Sequence, residues 1–321
     1  MRVLVLSAGR RTTLVTLFSD VLAKIGGTVV VADADGLAAT AHMGVEAFRL
    51  PRVAAANYEE AVLELVEEQG ISAIIPTIDT ELAALSQMAG SLDGLGCRAI
   101  VSGAELLGVA ADKEQTSQAF GKAGFQVPRS WSVESALSDE SLPENLFVKP
   151  RFGSASQGAQ AVSREQLPLV LAGIDRPIVQ ENITAEEVTV DALLDFDGKP
   201  VHYVPRSRLK TLGGESVQGV TIDDQDISEW IMDVLHALSD MGGMGPLTIQ
   251  YFATVGGPTL LEVNPRFGGG FPLGHAAGGL YPEWIVSALI GEPMQPRLGE
   301  YERGLYMTRA LAERFVRHPK W

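Results

Sequence analysis

The chain has 321 residues, of which 46% are hydrophobic and 20% charged, a composition typical of a globular protein with about two or three packed domains. The 40 acidic and 25 basic side chains give a formal net charge of −15. This balance argues against an extended nucleic-acid surface, which needs clustered Lys and Arg. The single cysteine, Cys97, has no partner for an internal disulfide. The sequence contains no stretch of about 18 apolar residues that would predict a membrane span, and the apolar run at residues 3–6 is too short for a signal peptide. We therefore expect a cytoplasmic protein that binds neither nucleic acid nor membranes.

Short apolar runs alternate with helical patterns in the first hundred residues. Such alternation predicts a doubly wound parallel sheet, in which ligands bind beyond the carboxyl ends of the strands. The predicted strands cover 3–6, 28–32, 73–76 and 97–101, and the predicted helices cover 13–24 and 58–69.

A dinucleotide-binding protein is the main alternative for such a sheet. That class places Gly-x-Gly-x-x-Gly after the first strand, so that a pyrophosphate can approach a helix N-terminus. Here Arg10 and Arg11 stand where small residues are needed, and we therefore do not expect nicotinamide binding. The side chains expected to frame a substrate at the strand ends are Arg10, Arg11, Asp33, Asp79 and Glu81. For the three carboxylates among them, structural capping is as good an interpretation as substrate binding.

From residue 110 onward the sequence pattern changes. Asp112 is a suitable N-cap for a helix over 113–123, and Gly124 follows as a helix-ending residue. Segment 132–145, rich in Ser, Glu and Pro, predicts a loop with a short helix. Further helices are predicted at 164–172 and 227–241, and further strands at 146–150, 159–162, 179–183, 187–195, 200–206 and, as a hairpin, 246–252 and 259–263.

Lys149 lies at the end of a predicted apolar strand and precedes a loop rich in Gly and Ser, residues 151–158. An unpaired buried ammonium is unfavourable, so Lys149 is expected to have an anionic partner. Exposed backbone N–H groups of such a loop can bind phosphate. The loop lacks Gly-Lys-Ser/Thr and leads to a strand, so it is not a Walker P-loop. Taken alone, a flexible hairpin with an outward-reaching lysine explains this segment slightly better.

Glu262 and Asn264 are two residues apart on a predicted strand, so their side chains point to the same face. Gln250 can join them from the paired strand. Carboxylate and amide oxygens suit a hard divalent cation that shares its ligands with nucleotide phosphates. Arg266 follows at once and can bind a phosphoryl group through two parallel hydrogen bonds. The polar face of an edge hairpin is the simpler alternative, but Glu-Val-Asn-Pro-Arg after an apolar strand favours function.

The strand over 179–183 becomes polar at its end, and Glu187 begins the next strand. A backbone hinge of this kind can contact adenine through main-chain hydrogen bonds, and a carboxylate can accept from ribose hydroxyls. Taken alone, a charged sheet edge is the better interpretation of this segment.

The order of these segments resembles the ATP-grasp superfamily. The closest similarity is to the synthetase half of the carbamoyl-phosphate synthase large subunit and to its stand-alone carboxylate–amine ligase relatives, which include the lysine–ornithine ligase of the pyrrolysine pathway. The resemblance covers essentially the whole chain and implies a mixed α/β and α+β fold. It places a doubly wound parallel α/β pre-grasp domain at 1–110, the small (lid) subdomain of a two-subdomain ATP-grasp fold at 111–185 and the C-terminal subdomain with the metal site at 186–321. The segments that carry it are 112–116, 147–158, Glu181, Glu187, Gln250 and 262–266.

For the nucleotide, the resemblance implies contacts from several parts of the chain. Lys113 corresponds to a lysine near the α-phosphate, Lys149 to one that reaches the α- and β-phosphates, and Glu187 to the ribose contact. A flap that closes over the phosphates and a hinge beside adenine complete the implied nucleotide site. The flap corresponds to Gly153, Ser154, Ser156 and Gly158, the hinge to Glu181, Asn182 and Ile183, and Gln250 also borders the nucleotide.

For the metal and the transferred phosphoryl group, the resemblance implies a second set of residues. Gln250, Glu262 and Asn264 correspond to Mg²⁺ ligands, and Arg266 to the arginine beside the γ-phosphate. The implied catalytic residues are Arg266, Lys149 and Arg208. Arg206, Arg208 and Lys210 fall where relatives place basic residues that face phosphate or substrate.

The implied activity is that of an Mg²⁺–ATP-dependent ligase, in which Mn²⁺ can replace Mg²⁺. It would activate a small carboxylate as an acyl phosphate for attack by an amine or a thiol, with release of ADP and phosphate. The alternative is an ATP-binding regulatory or assembly subunit of the same fold without ligase activity. Relatives are commonly homodimers. Because the chain contains one synthetase half, we do not expect it to complete carbamoyl-phosphate synthesis. The carboxylate and the amine are not identified by any residue.

Overall fold

A computed structural model describes residues 1–139, 141–153 and 158–317. The N-terminal part is a five-stranded parallel sheet in the order β3-β2-β1-β4-β5. Its helices cover both faces, which explains why the central strands read as continuous apolar runs. Its elements are β1 (Arg2–Leu6), α1 (Thr12–Lys24), β2 (Thr28–Asp33), a 3₁₀ turn (Ala39–His42), β3 (Glu46–Arg49), α2 (Tyr58–Gln69), β4 (Ala73–Pro76), α3 (Asp79–Gln87), α4 (Ala89–Gly94) and β5 (Arg98–Ala99).

The side chains of β1 alternate between two hydrophobic clusters, as strand geometry requires. Val3 and Val5 face one cluster, and Leu4 and Leu6 face the other. The second cluster is built within the N-terminal part. The first also contains side chains from the C-terminal part of the chain, so the two parts share one core. Its C-terminal members include Phe267, Phe271, Tyr281, Ile285 and Val286.

Two helices, α5 (Ala104–Ala111) and α6 (Lys113–Lys122), lead to the second sheet. Asp112 caps α6 as predicted, because its carboxylate accepts hydrogen bonds from the backbone N–H of Glu114 at 3.0 Å and of Gln115 at 3.4 Å. Arg151 also donates to Asp112, from Nε at 2.8 Å and Nη2 at 2.6 Å. These bonds fix the first residue of α6, Lys113, beside the end of a strand of the second sheet.

The second sheet is antiparallel and has four strands in the order β6-β9-β7-β8. Two short helices contribute to its apolar cluster together with Leu146, Val148 and Val179. This cluster shares no member with the others, so the second sheet has its own small core. Its elements are β6 (Ser130–Trp131), α7 (Val133–Ser138), β7 (Asn145–Pro150), β8 (Gln160–Ser163), α8 (Leu167–Ala172) and β9 (Pro177–Glu181).

The third sheet is antiparallel and has six strands in the order β14-β13-β10-β11-β12-β15. One face packs against the apolar side of α9, where Ile231, Val234, Leu235 and Leu238 are buried. The elements are β10 (Glu186–Leu194), β11 (Pro200–Leu212), β12 (Glu215–Thr221), α9 (Ser228–Asp240), β13 (Gly245–Thr254), β14 (Gly257–Asn264), α10 (Phe271–Ala276), α11 (Tyr281–Leu289) and β15 (Tyr306–Thr308).

The predicted fold class is confirmed, with a parallel sheet followed by antiparallel sheets. The hairpin predicted around Gly256 and Gly257 is present as β13 and β14. The strand predicted to end at residue 206 continues to 212, because it forms a second hairpin with β12 through Gly213 and Gly214 at φ 57° and 78°. The domain boundaries after residues 110 and 185 stay predictions. Within the described segments, no helix is long and apolar enough to span a bilayer.

A buried ion pair connects β10 and β11. Arg206 donates to Asp191 from Nε at 2.7 Å and from Nη2 at 3.2 Å, and the two residues are 2% and 1% exposed. The expectation that Arg206 faces phosphate or substrate is therefore wrong, because its guanidinium is used inside the fold. The glycine-rich segment after β14 packs directly on this pair. A Cβ on Gly270 would lie 2.5 Å from Cζ of Arg206.

We expect Gly270→Ala to lower the free energy of unfolding by about 1–3 kcal/mol, as overpacking does in well-filled interiors. The backbone of Gly270 has an ordinary φ of −87°, so the effect would come from the clash with Arg206. Urea denaturation measures the change. Gly108→Ala is the matched control, because Gly108 lies in α5 with open space around it, and there a stabilisation of about 0.5–1 kcal/mol is expected. Equal stabilities of the native protein and Gly270→Ala would contradict the proposed packing role.

Candidate functional site

The face of the third sheet opposite α9 is polar, and we call it the polar face. Residues directly opposite each other in antiparallel strands share a face, and the register pairs Gln250 with Glu262 and Thr248 with Asn264. It also pairs Thr189 with both Gln250 and Arg206. The neighbouring positions on the same strands, such as Val188, Val190 and Ile249, are buried against α9. This register places Gln250 opposite Glu262 on the paired strand, and its role as a metal ligand stays a prediction.

Glu262 and Asn264 contact each other at the carboxyl end of β14. Asn264 Nδ2 donates to Glu262 Oε1 at 3.0 Å, and Asn264 Oδ1 accepts from Arg266 Nη2 at 3.3 Å. Among the described residues there is no group of three or more His, Cys, Asp or Glu that could hold a metal ion. The donors here are one carboxylate and two amides, a set that fits a hard cation which takes its remaining ligands from phosphates and water. Rotation of the Asn264 amide by half a turn would bring its Oδ1 next to Glu262 Oε1, so that both oxygens could contact one cation.

Lys149 lies at the end of β7 and is 6% exposed. Its pKa is lowered to about 8, mainly by burial and in part by the charge of Lys113, while the carboxylates of Glu262 and Glu187 oppose the change. Among the described residues, no carboxylate oxygen lies within 4 Å of its ammonium group. The predicted anionic neighbour is thus Glu262, whose charge acts on Lys149 without forming an ion pair with it.

Lys113 lies at the start of α6 and approaches the same position. Its Nζ donates to the carbonyl oxygen of Gly153 at 2.7 Å. Burial lowers the pKa of Lys113, and the charges of Glu262 and Asp79 oppose that change. The structure therefore places Lys113, Lys149 and Glu262, which are far apart in sequence, at one position between the second and third sheets.

Arg266 connects the polar face to the N-terminal part of the chain. It donates to Asp79 from Nε at 2.8 Å and from Nη2 at 2.7 Å, a bidentate pair across 187 positions of sequence. Asp79 begins α3, just after β4. The pair holds the Arg266 guanidinium next to Asn264, and its role beside the transferred phosphoryl group stays a prediction from the resemblance.

Other predicted nucleotide contacts are distributed around this centre. Glu187 forms an ion pair with Arg208, so two predicted site residues are paired with each other. Glu181 Oε1 accepts from the backbone N–H of Arg129 at 2.8 Å, and Asn182 and Ile183 follow it in the connection between β9 and β10. In the flap, Gly153 and Gly158 have φ of 110° and 72°. Ser154 and Ser156 lie outside the described residues.

The carboxylates at the strand ends of the first sheet have contacts within the protein. Asp33 accepts hydrogen bonds from the backbone N–H of Gly9 and of Asp35, both at 2.9 Å, which favours capping for this residue. Glu81 is 3% exposed, and its Oε1 accepts from Ser7 Oγ at 2.7 Å and from Tyr58 OH at 3.1 Å. Its Oε2 has no hydrogen-bond partner among the described residues. Burial raises the pKa of Glu81 to about 7, and the charge of Asp33 adds to the increase.

Relative to Glu81→Gln, we expect the native protein to lose about 2 kcal/mol of stability between about pH 5 and pH 8. The folded state holds the Glu81 proton up to about pH 7, whereas the unfolded chain releases it near pH 4.5. The stabilisation by that proton is complete below the pKa of the unfolded chain, near 4.5, and is lost as the pH rises through the pKa of the folded state, about 7. Denaturation curves of both proteins across this range measure the difference. Parallel pH profiles would show that Glu81 is ionised in the folded state.

Several residues around the site gave no local signal in the sequence. Glu215, the first residue of β12, contacts Arg10 and Arg309 from two other parts of the chain. Tyr58 reaches Glu81 from α2. Glu215 reaches Arg10 only through the packing of the N-terminal sheet on the third sheet, and Tyr58 reaches Glu81 only through the fold of the N-terminal part. A periodic pattern carries no information about either contact.

Comparisons with known proteins agree with the resemblance to ATP-grasp proteins. Residues 3–100 match the family model described as "PylC-like, N-terminal domain". Residues 174–310 match the one described as "ATP-grasp in the biosynthetic pathway with Ter operon". Together these matches support the resemblance to ATP-grasp proteins that the sequence implied.

Solved structures show the same fold over nearly the whole chain. The biotin carboxylase domain of the 2-oxoglutarate carboxylase from Hydrogenobacter thermophilus, a dimer in complex with MgADP, ADP and bicarbonate, has a TM-score of 0.77. The match covers 95% of this chain and 73% of that one at 17% identity. N5-carboxyaminoimidazole synthetase from Staphylococcus aureus has a TM-score of 0.71 and covers 94% of this chain and 79% of that one at 15% identity. At such identities the similarity establishes the fold alone.

Curated relatives are similar in sequence over most of the chain. The carbamoyl phosphate synthase large chain of Methanothrix thermoacetophila is 25% identical over 255 residues, which cover 72% of this chain and 24% of the relative. The D-alanine–D-alanine ligase of Corynebacterium jeikeium is 27% identical over 238 residues, which cover 64% of this chain and 63% of the relative. The chain thus spans about a quarter of the length of the synthase and less than two thirds of the ligase.

Proposed function

We propose that the protein is an Mg²⁺–ATP-dependent ligase that activates a small carboxylate as an acyl phosphate for attack by an amine. The observation that carries the proposal is the convergence of Lys149, Lys113, Glu262 and Arg266 from three different parts of the chain. A binding module has no need of two desolvated lysines beside an acidic strand end. The ligases and carboxylases among its relatives support the same chemistry.

In this proposal the nucleotide phosphates lie between Lys113 and Lys149. Glu262, Asn264 and Gln250 hold the metal, with Mn²⁺ able to replace Mg²⁺. The bound cation would draw charge from the phosphates and orient them for transfer. Glu187 and the 181–183 segment contact ribose and adenine, which requires Arg208 to release Glu187 or to share it. The flap, including Gly153 and Gly158, excludes water from the acyl phosphate.

The reaction has two steps in which the protein mainly supplies position and charge. A carboxylate oxygen of the substrate attacks the γ-phosphorus of ATP, the bond to the β-phosphate oxygen breaks, and ADP leaves. The amine nitrogen then attacks the acyl carbon, the carbon–oxygen bond to phosphate breaks, and the nitrogen loses a proton. Arg266, held by Asp79, stabilises charge on the transferring phosphoryl group.

The test is ADP release by the protein with Mg²⁺–ATP, a panel of small carboxylates, and hydroxylamine to trap acyl phosphates as hydroxamates. We expect ADP and hydroxamate in equal amounts with at least one acid. ADP release that no carboxylate changes, together with a stable protein partner, would instead indicate a regulatory ATP-binding subunit. A cytoplasmic location and a homodimer belong to the same proposal, and equilibrium sedimentation checks the dimer.

A further inference from the structure

Four charged side chains lie beyond Arg266, between the strand ends of the first sheet and the start of β12. We call Arg10, Arg11, Arg309 and Glu215 the arginine cluster. Arg10 Nη2 lies 3.3 Å from Glu215 Oε1, and Arg309 Nη1 lies 3.2 Å from Glu215 Oε2. Arg309 Nη2 also donates to the carbonyl oxygen of Gly269 at 2.6 Å. Two guanidinium groups thus share the Glu215 carboxylate, and with Arg11 the cluster has an excess of positive charge in a chain that is strongly acidic overall.

Arg11 is the least neutralised member of the cluster. It is half-buried, and among the described residues no carboxylate oxygen lies within 4 Å of its guanidinium nitrogens. Its Nη2 donates to the carbonyl oxygen of Thr77 at 3.2 Å. A guanidinium has five N–H donors, so most of its capacity is left for another partner. The pKa of Arg11 is lowered to about 10, mainly by burial and in part by the neighbouring charge of Arg266.

The N-terminal end of the helix that follows, α1, also contributes positive charge. Arg11 is the N-cap residue of α1, a helix of 13 residues. No side chain caps this end, and its first turn contains no acidic residue. The positive end of the helix dipole therefore adds to the guanidinium charges at this position.

Arg11 is also close to the proposed reaction centre. Of the neighbouring charges, that of Arg266 has the largest effect on Arg11, and Arg266 itself is paired with Asp79 through two hydrogen bonds. A substrate that places its reacting carboxylate beside Arg266 would thus present the rest of its structure to Arg11. A neutral tail would leave the Arg11 guanidinium desolvated and unpaired, which is unfavourable.

We propose that the arginine cluster binds a second, non-reacting carboxylate of the substrates, with Arg11 as its main contact. The inference rests on the proposed ligase function and narrows its substrates to those that bring such a group. The carboxylate can belong to the acyl donor, as in a dicarboxylic acid, or to the amine, as in an amino acid acceptor. Both sources present the same planar anion to a guanidinium fork.

Binding of matched probe pairs without ATP tests the inference separately from catalysis. The pairs are succinate with propionate, L-glutamate with 4-aminobutyrate, and L-lysine with cadaverine; in each pair the second compound lacks one carboxylate. Thermal unfolding of the full chain is followed with increasing concentration of each probe. We expect the carboxylate-rich member of at least one pair to raise the unfolding temperature, and its counterpart to require at least about tenfold higher concentration for the same shift.

Variants then assign the effect to the cluster. Arg11→Gln should weaken binding of the preferred probe at least about tenfold, and Arg309→Gln should weaken it less. Arg52 is an exposed arginine outside the site, and Arg52→Gln should leave binding unchanged. Circular dichroism of each variant checks folding, and Arg309→Gln keeps the test valid if Arg11→Gln does not fold.

The outcomes separate the two proposals. No discrimination within any pair, or discrimination that survives both cluster variants, would overturn the carboxylate assignment. Discrimination that depends on Arg11 without any acid-dependent ADP release would support the subsite and reject the ligase. A preference for succinate identifies the acyl donor as the source, and a preference for L-lysine identifies the amine.

Discussion

Lys149→Met is expected to unfold at a higher temperature than the native protein and to lose ADP formation by at least about 100-fold. The two effects have one cause, because the Lys149 ammonium is buried for the ligand and not for the fold. Its pKa falls from 10.5 in the unfolded chain to about 8 in the folded one. At neutral pH that difference corresponds to about 3 kcal/mol of lost stability, which methionine, of similar length and uncharged, would restore.

The pH dependence gives this prediction a second measurement. The penalty on Lys149 is complete below about pH 8 and disappears as the pH rises toward 10.5, so the native protein should approach the stability of Lys149→Met in alkaline solution. Lys122→Met on the exposed surface of α6 is the matched control and should change neither the unfolding temperature nor ADP formation. A less stable Lys149→Met protein would show that the ammonium is well paired, and unchanged ADP formation would remove Lys149 from the proposed site.

Glu262→Gln is the second substitution with a large expected effect. The side chain keeps its shape, and its oxygen can still accept from Asn264 Nδ2. The change removes the one carboxylate of the proposed metal set and the charge that opposes the fall in the pKa of Lys149 and Lys113. We expect ADP formation at saturating ATP to fall at least about 100-fold and the Mg²⁺ concentration for half-maximal rate to rise more than about tenfold.

Titration with Mg²⁺, repeated with Mn²⁺, measures that effect. Glu64→Gln on the exposed side of α2 is the control, because it removes the same charge from a position far from the metal set. If Glu262→Gln keeps the native metal dependence, the cation is held elsewhere and the proposed role of the β14 strand end is incorrect.

The parts of the site that could be predicted from sequence are those set by short-range geometry. Two residues two positions apart on a strand must share a face, so the strand pattern alone is enough to group Glu262 with Asn264. The hairpin between β13 and β14 is also local, and it brings Gln250 opposite Glu262. The Asp112 cap of α6 follows from the preference of helix starts for such side chains.

The parts that could not be predicted depend on the packing of distant segments. Arg266 pairs with Asp79, and Glu215 pairs with Arg10, only because the first sheet packs against the third. The apolar pattern predicted that β11 ends at residue 206. The strand continues to 212, and this extension brings Arg208 to Glu187. The burial of Arg206 depends on Asp191, whose partner is not indicated by sequence spacing.

The hydrophobic cluster shared by α1 and the C-terminal part has a consequence for synthesis on the ribosome. Phe18 packs edge-on against Phe267, with ring centroids 6.0 Å apart, and Phe271, Ile285 and Val286 belong to the same cluster. The first sheet can therefore complete one face soon after it is made, while the apolar cluster on its other face, which α1 covers only in part, stays incomplete until residues 267–286 have been made. During that interval the nascent protein presents an apolar surface, and its N-terminal third depends on the C-terminal third to become fully folded.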